Sequence, residues 1–142
     1  MITLQTLQKY SLFGGLLEDQ IEKILPLMEL ESYKSGTDII VEGSPNDKIY
    51  FIINGEVSVI KGGAVLSSLV IGETFGEMEV LDVMPSVATI RSLTDVTVMF
   101  FSNKGLREIY KQDAKTFSLF IMNLARDLSR RLRKMDEKLV ER

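Results

Sequence analysis

Apolar and polar positions divide the chain into three stretches of different rhythm. Up to about residue 33, Leu16, Leu17, Ile21, Ile24, Leu25 and Met28 recur three or four apart, with Glu18, Asp19, Glu22 and Lys23 opposite them. That spacing predicts an amphipathic helix, with Pro26 kinking or ending a turn. Residues Thr3 to Tyr10 predict a short separate helix ahead of Gly14-Gly15.

From Gly36 to Ser102 the pattern changes to short extended runs broken by turn residues. Ile39–Val41 leads into the polar loop Glu42–Asp47, and 49–53 and 57–60 flank Asn54-Gly55. Asn-Gly between two strand-like runs predicts a hairpin, because both residues tolerate the positive φ of a type I′ turn. Gly62-Gly63 turns the chain into 64–71, and 87–93 is expected to pair with 96–101 around Thr94-Asp95. Short strands at regular spacing with glycine turns predict an antiparallel roll or barrel. One stretch, Gly72 to Asp82, alternates poorly: Phe75, Met78 and Leu81 are spaced as one face of a short helix set inside the roll.

The third stretch opens at Ser102, a suitable N-cap, with a helix to about Tyr110. A longer helix follows from about Asp113, with a seam of Phe117, Ile121, Leu124, Leu128, Leu132, Met135 and Leu139. Steps of three and four make it coiled-coil-like, with one stutter between Leu128 and Leu132. Such a helix, about 42 Å long at 1.5 Å per residue, outreaches a small roll. A second copy of the chain is the simplest cover for its free end. The expected fold class is therefore mainly β with flanking helices, a jelly-roll-like antiparallel β-roll. Residues 1–112 form the roll with its N-terminal helices, and 113–142 form the long helix of the same single domain.

Composition narrows the chemistry. The chain has 142 residues, 45% hydrophobic and 26% charged, which suits one globular domain. It contains neither cysteine nor histidine. Thiolate nucleophiles, zinc–cysteine clusters and serine–histidine pairs are thereby excluded. No run approaches the roughly 18–20 apolar residues of a membrane span, and the first residues lack a secretory pattern, so a cytoplasmic protein is expected. Residues 126–142 hold seven basic and four acidic side chains, a net of +3, against −3 for the whole chain. The remaining body is acidic, a poor template for nucleic acid. Glu77, Glu79 and Asp82 suggest hydrolysis or a divalent cation, but on a short helix they diverge. Neither an enzyme nor a metal site is expected.

Several segments, in order, resemble one family. They are Ser11-Leu12-Phe13 with Gly15-Leu16, Tyr33–Thr37, Ile40–Gly43, Tyr50–Val57, Gly72–Met78 and Pro85–Thr89. Together they are similar to the cyclic nucleotide-binding domain of the bacterial catabolite activator protein, protein kinase A regulatory subunits and gated ion channels. The resemblance implies a roll of about eight strands and a ligand cassette at 75–89. It implies cyclic AMP or cyclic GMP as ligand, with Phe75 opening the cassette. Backbone N–H groups at Gly76, Glu77 and Met78 would meet the phosphate, and the Glu77 carboxylate the ribose 2′-hydroxyl. Val59, Leu66 and Leu69 would line sugar and base, and Arg131 would pair with Glu77. A helix start with glycine suits an anion on physical grounds as well. For Glu77 the plain alternative, a first-turn carboxylate favoured by the helix dipole, stays open.

The sequence departs from that pattern after Pro85. The family usually has arginine and then serine or threonine there; this chain has Ser86 and Val87. Hydrogen bonds to charged groups are worth about 1.5–3 kcal/mol, so the departure weakens a cyclic nucleotide roughly ten- to several-hundred-fold. Arg91, five residues on, faces away from Ser86 or lies too far. Met135 and Asp136 stand where relatives read the base. Transcription regulators of this kind continue into a helix-turn-helix after the long helix, and no such segment follows here, so direct DNA binding is not expected. Two readings result: a dimeric sensor with weakened phosphate capture, or a degenerate copy that dimerises or docks a partner without nucleotide.

Overall fold

Strand β3 (Lys48–Asn54) has apolar side chains on both faces. Ile49 and Phe51 join one core, while Tyr50 and Ile52 join another. Successive side chains alternate across a strand, so β3 lies inside and separates the two cores. The computed structural model describes residues 3–140.

The other strands are β1 (Glu29–Tyr33), β2 (Asp38–Ile40), β4 (Val57–Lys61), β5 (Ala64–Leu69), β6 (Thr74–Phe75), β7 (Thr89–Ser92) and β8 (Val96–Ser102). They form two four-stranded sheets, ordered β1-β8-β3-β6 and β2-β7-β4-β5. β3 pairs with β8 and β4 with β7, so β3–β4 and β7–β8 run as one ribbon folded over between the sheets. β1–β2 follow one flank of this ribbon and β5–β6 the other. This is the expected roll, and Ile52, Val57, Ile90, Val98 and Phe100 fill its interior.

The outer face of the first sheet carries the helices. These are α1 (Leu4–Gln8), α2 (Glu18–Ile24), α4 (Asn103–Gln112) and α5 (Ala114–Val140), with 3₁₀ turns at Ser11–Phe13 and Leu25–Leu27. Leu7, Phe13, Ile21, Ile24, Leu106, Ile109, Phe120 and Leu124 pack there on Ile49, Phe51 and Phe101. Ser102 caps α4 as expected, its hydroxyl accepting from the Gly105 N–H at 3.1 Å.

Four expectations are corrected. The helical pattern to residue 33 stops at Leu27, and 29–33 form an edge strand on β8. Pro26 lies in the last 3₁₀ turn, and Glu29-Leu30-Glu31 alternates well enough to take the free edge. Asn54-Gly55 is not a hairpin: β3 and β4 belong to different sheets, and of the pair only Gly55 has a positive φ. It forms the corner where the ribbon folds, against the Thr94-Asp95 corner. A Cβ on Gly55 would lie 2.4 Å from the Asp95 carbonyl oxygen. For the same reason 87–93 does not pair with 96–101. The type I′ geometry occurs instead at Gly62-Gly63, where φ values of 57° and 79° close the Lys61–Ala64 pair. Finally, the α5 seam divides. Leu124 is fully buried in the body and unavailable to a second copy, whereas Leu132, Met135 and Leu139 are about 60% exposed.

Candidate functional site

The site is built where β6 gives way to α3 (Glu77–Asp82). The Phe75 ring stacks on Tyr50 with centroids 4.7 Å apart. Gly76 then turns the chain with φ 83°. A side chain cannot replace its hydrogen: a Cβ would meet the Lys48 carbonyl oxygen at 2.6 Å and Asn46 Nδ2 at 2.8 Å. Asn46 pins this entry, its Nδ2 donating to the carbonyls of Gly76 at 3.0 Å and Lys48 at 2.9 Å. The sequence pattern placed Asn46 only in a polar loop. Nothing in the spacing marked it as the residue that fixes the cassette.

α3 has inverted amphipathicity. Of the apolar face expected there, Phe75 is buried in the roll while Met78 and Leu81 are over 40% exposed, and Glu77 and Glu79 are buried. Only Val80 of this helix packs on the core, so a short helix that hides carboxylates and shows methionine and leucine is not organised mainly for core packing. Its first N–H groups have no intrahelical acceptors.

Glu77 is met by Arg131, which reaches in from α5. Arg131 Nη1 donates to Glu77 Oε1 at 2.5 Å, and Nη2 donates to the Thr74 carbonyl at 2.6 Å and to Thr74 Oγ1 at 3.2 Å. Burial pushes the Glu77 carboxyl above the usual glutamate range, against the opposing pull of the Arg131 guanidinium. Glu79 is raised too, first by burial and then by the Glu77 charge.

Eight of the ten residues singled out from the sequence line one cavity of about 100 Å³: Val59, Leu69, Phe75, Gly76, Glu77, Met78, Val87 and Arg131. Glu79, Ala88 and Ile90 complete its wall. The other two stand apart. Leu66 lies at the irregular step in the β4–β5 pairing, is mostly exposed and does not line the cavity. Ser86 is buried behind the wall, its backbone exchanging hydrogen bonds with Ser44 and Gly43 at 2.9 and 2.8 Å. Its hydroxyl is sealed from solvent without a hydrogen-bond partner among the described residues. Ser86, Ala88, Ile90 and Ser92 are all buried, but Ser86 precedes β7, in a stretch that bends at 87–88 before the strand begins at Thr89. Arg91 points outward to Asp38 at 2.6 Å. Met135 and Asp136 are exposed on α5.

Small-molecule sites usually offer roughly 300 Å³ or more. At about 100 Å³ this one is small for such a ligand, and outside the strands it is bordered by α3, α5 and the 87–88 bend. A wider hollow of about 570 Å³ lies across α3, bounded by Asn46, Asp47, Glu79, Val83, Met84 and Asn103 among others. Its lining has two carboxylates and no cation, which disfavours an anion there.

The model of the cyclic nucleotide-binding domain matches residues 30–113, which spans both sheets and the cassette. The chain belongs to the cyclic nucleotide-binding domain family. A cyclic AMP-dependent protein kinase regulatory subunit of Aspergillus niger is 31% identical over 105 residues, covering 72% of this chain and 26% of that protein. The chain thus spans about a quarter of that curated relative. A solved cyclic nucleotide-binding domain from Methylobacillus flagellatus superposes with TM-score 0.86 at 22% identity, over 96% of this chain and 80% of that one. The catabolite activator protein of Thermus thermophilus gives 0.79 at 28% identity, over 91% and 61%. Among the described residues no three metal-binding side chains of the acid, histidine or cysteine type converge, and no helix is long and apolar enough to cross a membrane.

Proposed function

We propose that this cyclic nucleotide-binding domain is a non-enzymatic regulatory sensor in the cytoplasm, taking cyclic AMP or cyclic GMP without a metal. One observation carries the reading: the Gly76–Met78 helix start, the Glu77 carboxylate and the apolar Val59 and Leu69 all face a single cavity. Phosphate capture is weak, because Ser86 brings a neutral hydroxyl where the family pattern brings a cation. The half of α5 left bare, with Leu132, Met135 and Leu139, supports a homodimer in which the 113–142 segment is both interface and lid. Ligand shifts the helix only through unequal affinity for its two positions. Contact with DNA is no part of this role.

A second reading has its own support. The cavity is narrow and Arg131 already holds Glu77, as suits a degenerate module that dimerises or docks a partner without ligand. Thermal melting with cyclic AMP and cyclic GMP separates the two. Ligand at 100 times Kd adds about 2.7 kcal/mol of stability. No shift at millimolar nucleotide would favour the degenerate module.

A further inference from the structure

The cavity wall carries two buried carboxylates, Glu77 and Glu79, and a single cation, Arg131. Any anion placed there without that arginine meets uncompensated negative charge in a poorly solvated site. Of the strand cations, Lys61 is exposed at the end of β4 and outside the cavity lining, and the other two are engaged elsewhere. The Lys48 ammonium lies over the Phe100 ring at 4.9 Å, and Arg91 pairs with Asp38 on the outer surface. Arg131 is anchored but not exhausted. A guanidinium has five N–H donors, and the contacts to Glu77 and Thr74 occupy one on Nη1 and two on Nη2. One Nη1 hydrogen and the Nε hydrogen remain, on a side chain one-third exposed. Ser86 does not line the cavity, so Arg131 is the one side-chain cation or hydroxyl donor in that lining with hydrogens to spare.

We infer that Arg131 is the charge-reading residue of this site: the phosphate monoanion of a nucleoside 3′,5′-cyclic monophosphate is received between the start of α3 and the spare N–H groups of Arg131. This rests on reading the cavity as a cyclic nucleotide site. It places the charge sensor on α5 itself, so the group that recognises the ligand's charge and the element that moves are covalently one piece.

Calorimetric titration of four proteins, wild type, Ser86→Arg, Arg131→Gln and the double variant, tests it with two probes. Cyclic AMP carries the charge; adenosine has the same base and ribose without it. Arg131→Gln is expected to weaken cyclic AMP by about 10- to 100-fold, the worth of a charged hydrogen bond. Adenosine has no phosphate for Arg131 to meet and should lose clearly less than cyclic AMP, its own loss reporting the effect on Glu77 at the ribose. Adding Ser86→Arg should restore most of the cyclic AMP affinity. Unchanged or tighter cyclic AMP binding by Arg131→Gln would mean that the guanidinium merely competes for Glu77, and overturns the inference. Equal loss of both probes would also overturn it, placing the effect at the ribose. If Ser86→Arg binds cyclic AMP and the wild type does not, Arg131 is insufficient and the inference fails while the cavity reading survives. If neither binds, the cavity reading fails with it. Should Arg131→Gln not fold, Arg131→Lys keeps the charge; it should retain the preference for cyclic AMP over adenosine, and loss of that preference refutes the role.

Discussion

Asn123 is a buried amide in the middle of α5, and removing it should detach the N-terminal turn from the long helix. Its Nδ2 donates to the carbonyls of Leu12 at 3.0 Å and Gly14 at 2.9 Å, and the residue is 4% exposed. The Leu12 contact lies fully inside the protein, while the Gly14 contact is partly buried. A buried acceptor left unsatisfied costs about 1–3 kcal/mol, and one that regains water loses about 0.5–1.5 kcal/mol. Asn123→Ala should therefore destabilise the fold by about 2–4 kcal/mol, read as a lower urea midpoint at unchanged m value. Asn123→Asp is harsher, because a carboxylate then faces two carbonyl oxygens. Burial raises the pKa of the introduced group above its unfolded value, so the folded state binds the extra proton and the added penalty disappears as pH falls below the ordinary aspartate range. Next along this face, Asp127 accepts from Ser11 Oγ at 2.9 Å, and Arg131 reaches Glu77. The residues at 123, 127 and 131 thus tie α5 to the N-terminal turn and then to the cassette. If Asn123→Ala stays within about 0.5 kcal/mol of wild type, the two bonds hold nothing and this coupling is wrong.

Other outcomes follow from the same geometry. Gly76→Ala places a Cβ in the left-handed region, about 1–2 kcal/mol by itself, and 2.6 Å from the Lys48 carbonyl. It should lower the melting temperature and abolish nucleotide stabilisation; intact stabilisation would show that close approach at Gly76 is not needed. Glu79 has its pKa raised by burial and by Glu77, so the folded state holds its proton more tightly than the unfolded chain. Its contribution to stability declines as pH rises from the ordinary glutamate range through the raised value. Glu79→Gln should accordingly raise stability at pH 7 and gain little at pH 4 in paired melts, and destabilisation at both would contradict the sign. Leu132→Glu with Leu139→Glu should halve the mass seen by light scattering with little change in monomer stability, since both side chains are about 60% exposed. A wild type already monomeric removes the dimer.

Local sequence determined most of the elements, because each was written in a period or a turn residue. The 3.6 repeat of α5 and the short apolar runs between glycines needed no knowledge of partners. The cassette helix was equally local, and so were eight residues of its cavity once the family likeness fixed their places. What tertiary structure decided was pairing and side. Asn54-Gly55 has every local mark of a hairpin, yet the neighbouring Thr94-Asp95 corner makes it a fold between sheets. Residues 29–33 became a strand because β8 had a free edge. Leu124 and Leu132 occupy one helical seam, but only Leu124 reaches the body. Asn46 and Asn123 look like ordinary polar residues; their roles depend on carbonyls brought to them by distant segments. A period tells which residues share a face. What covers that face is set by segments far away in the chain, and that no local pattern contains.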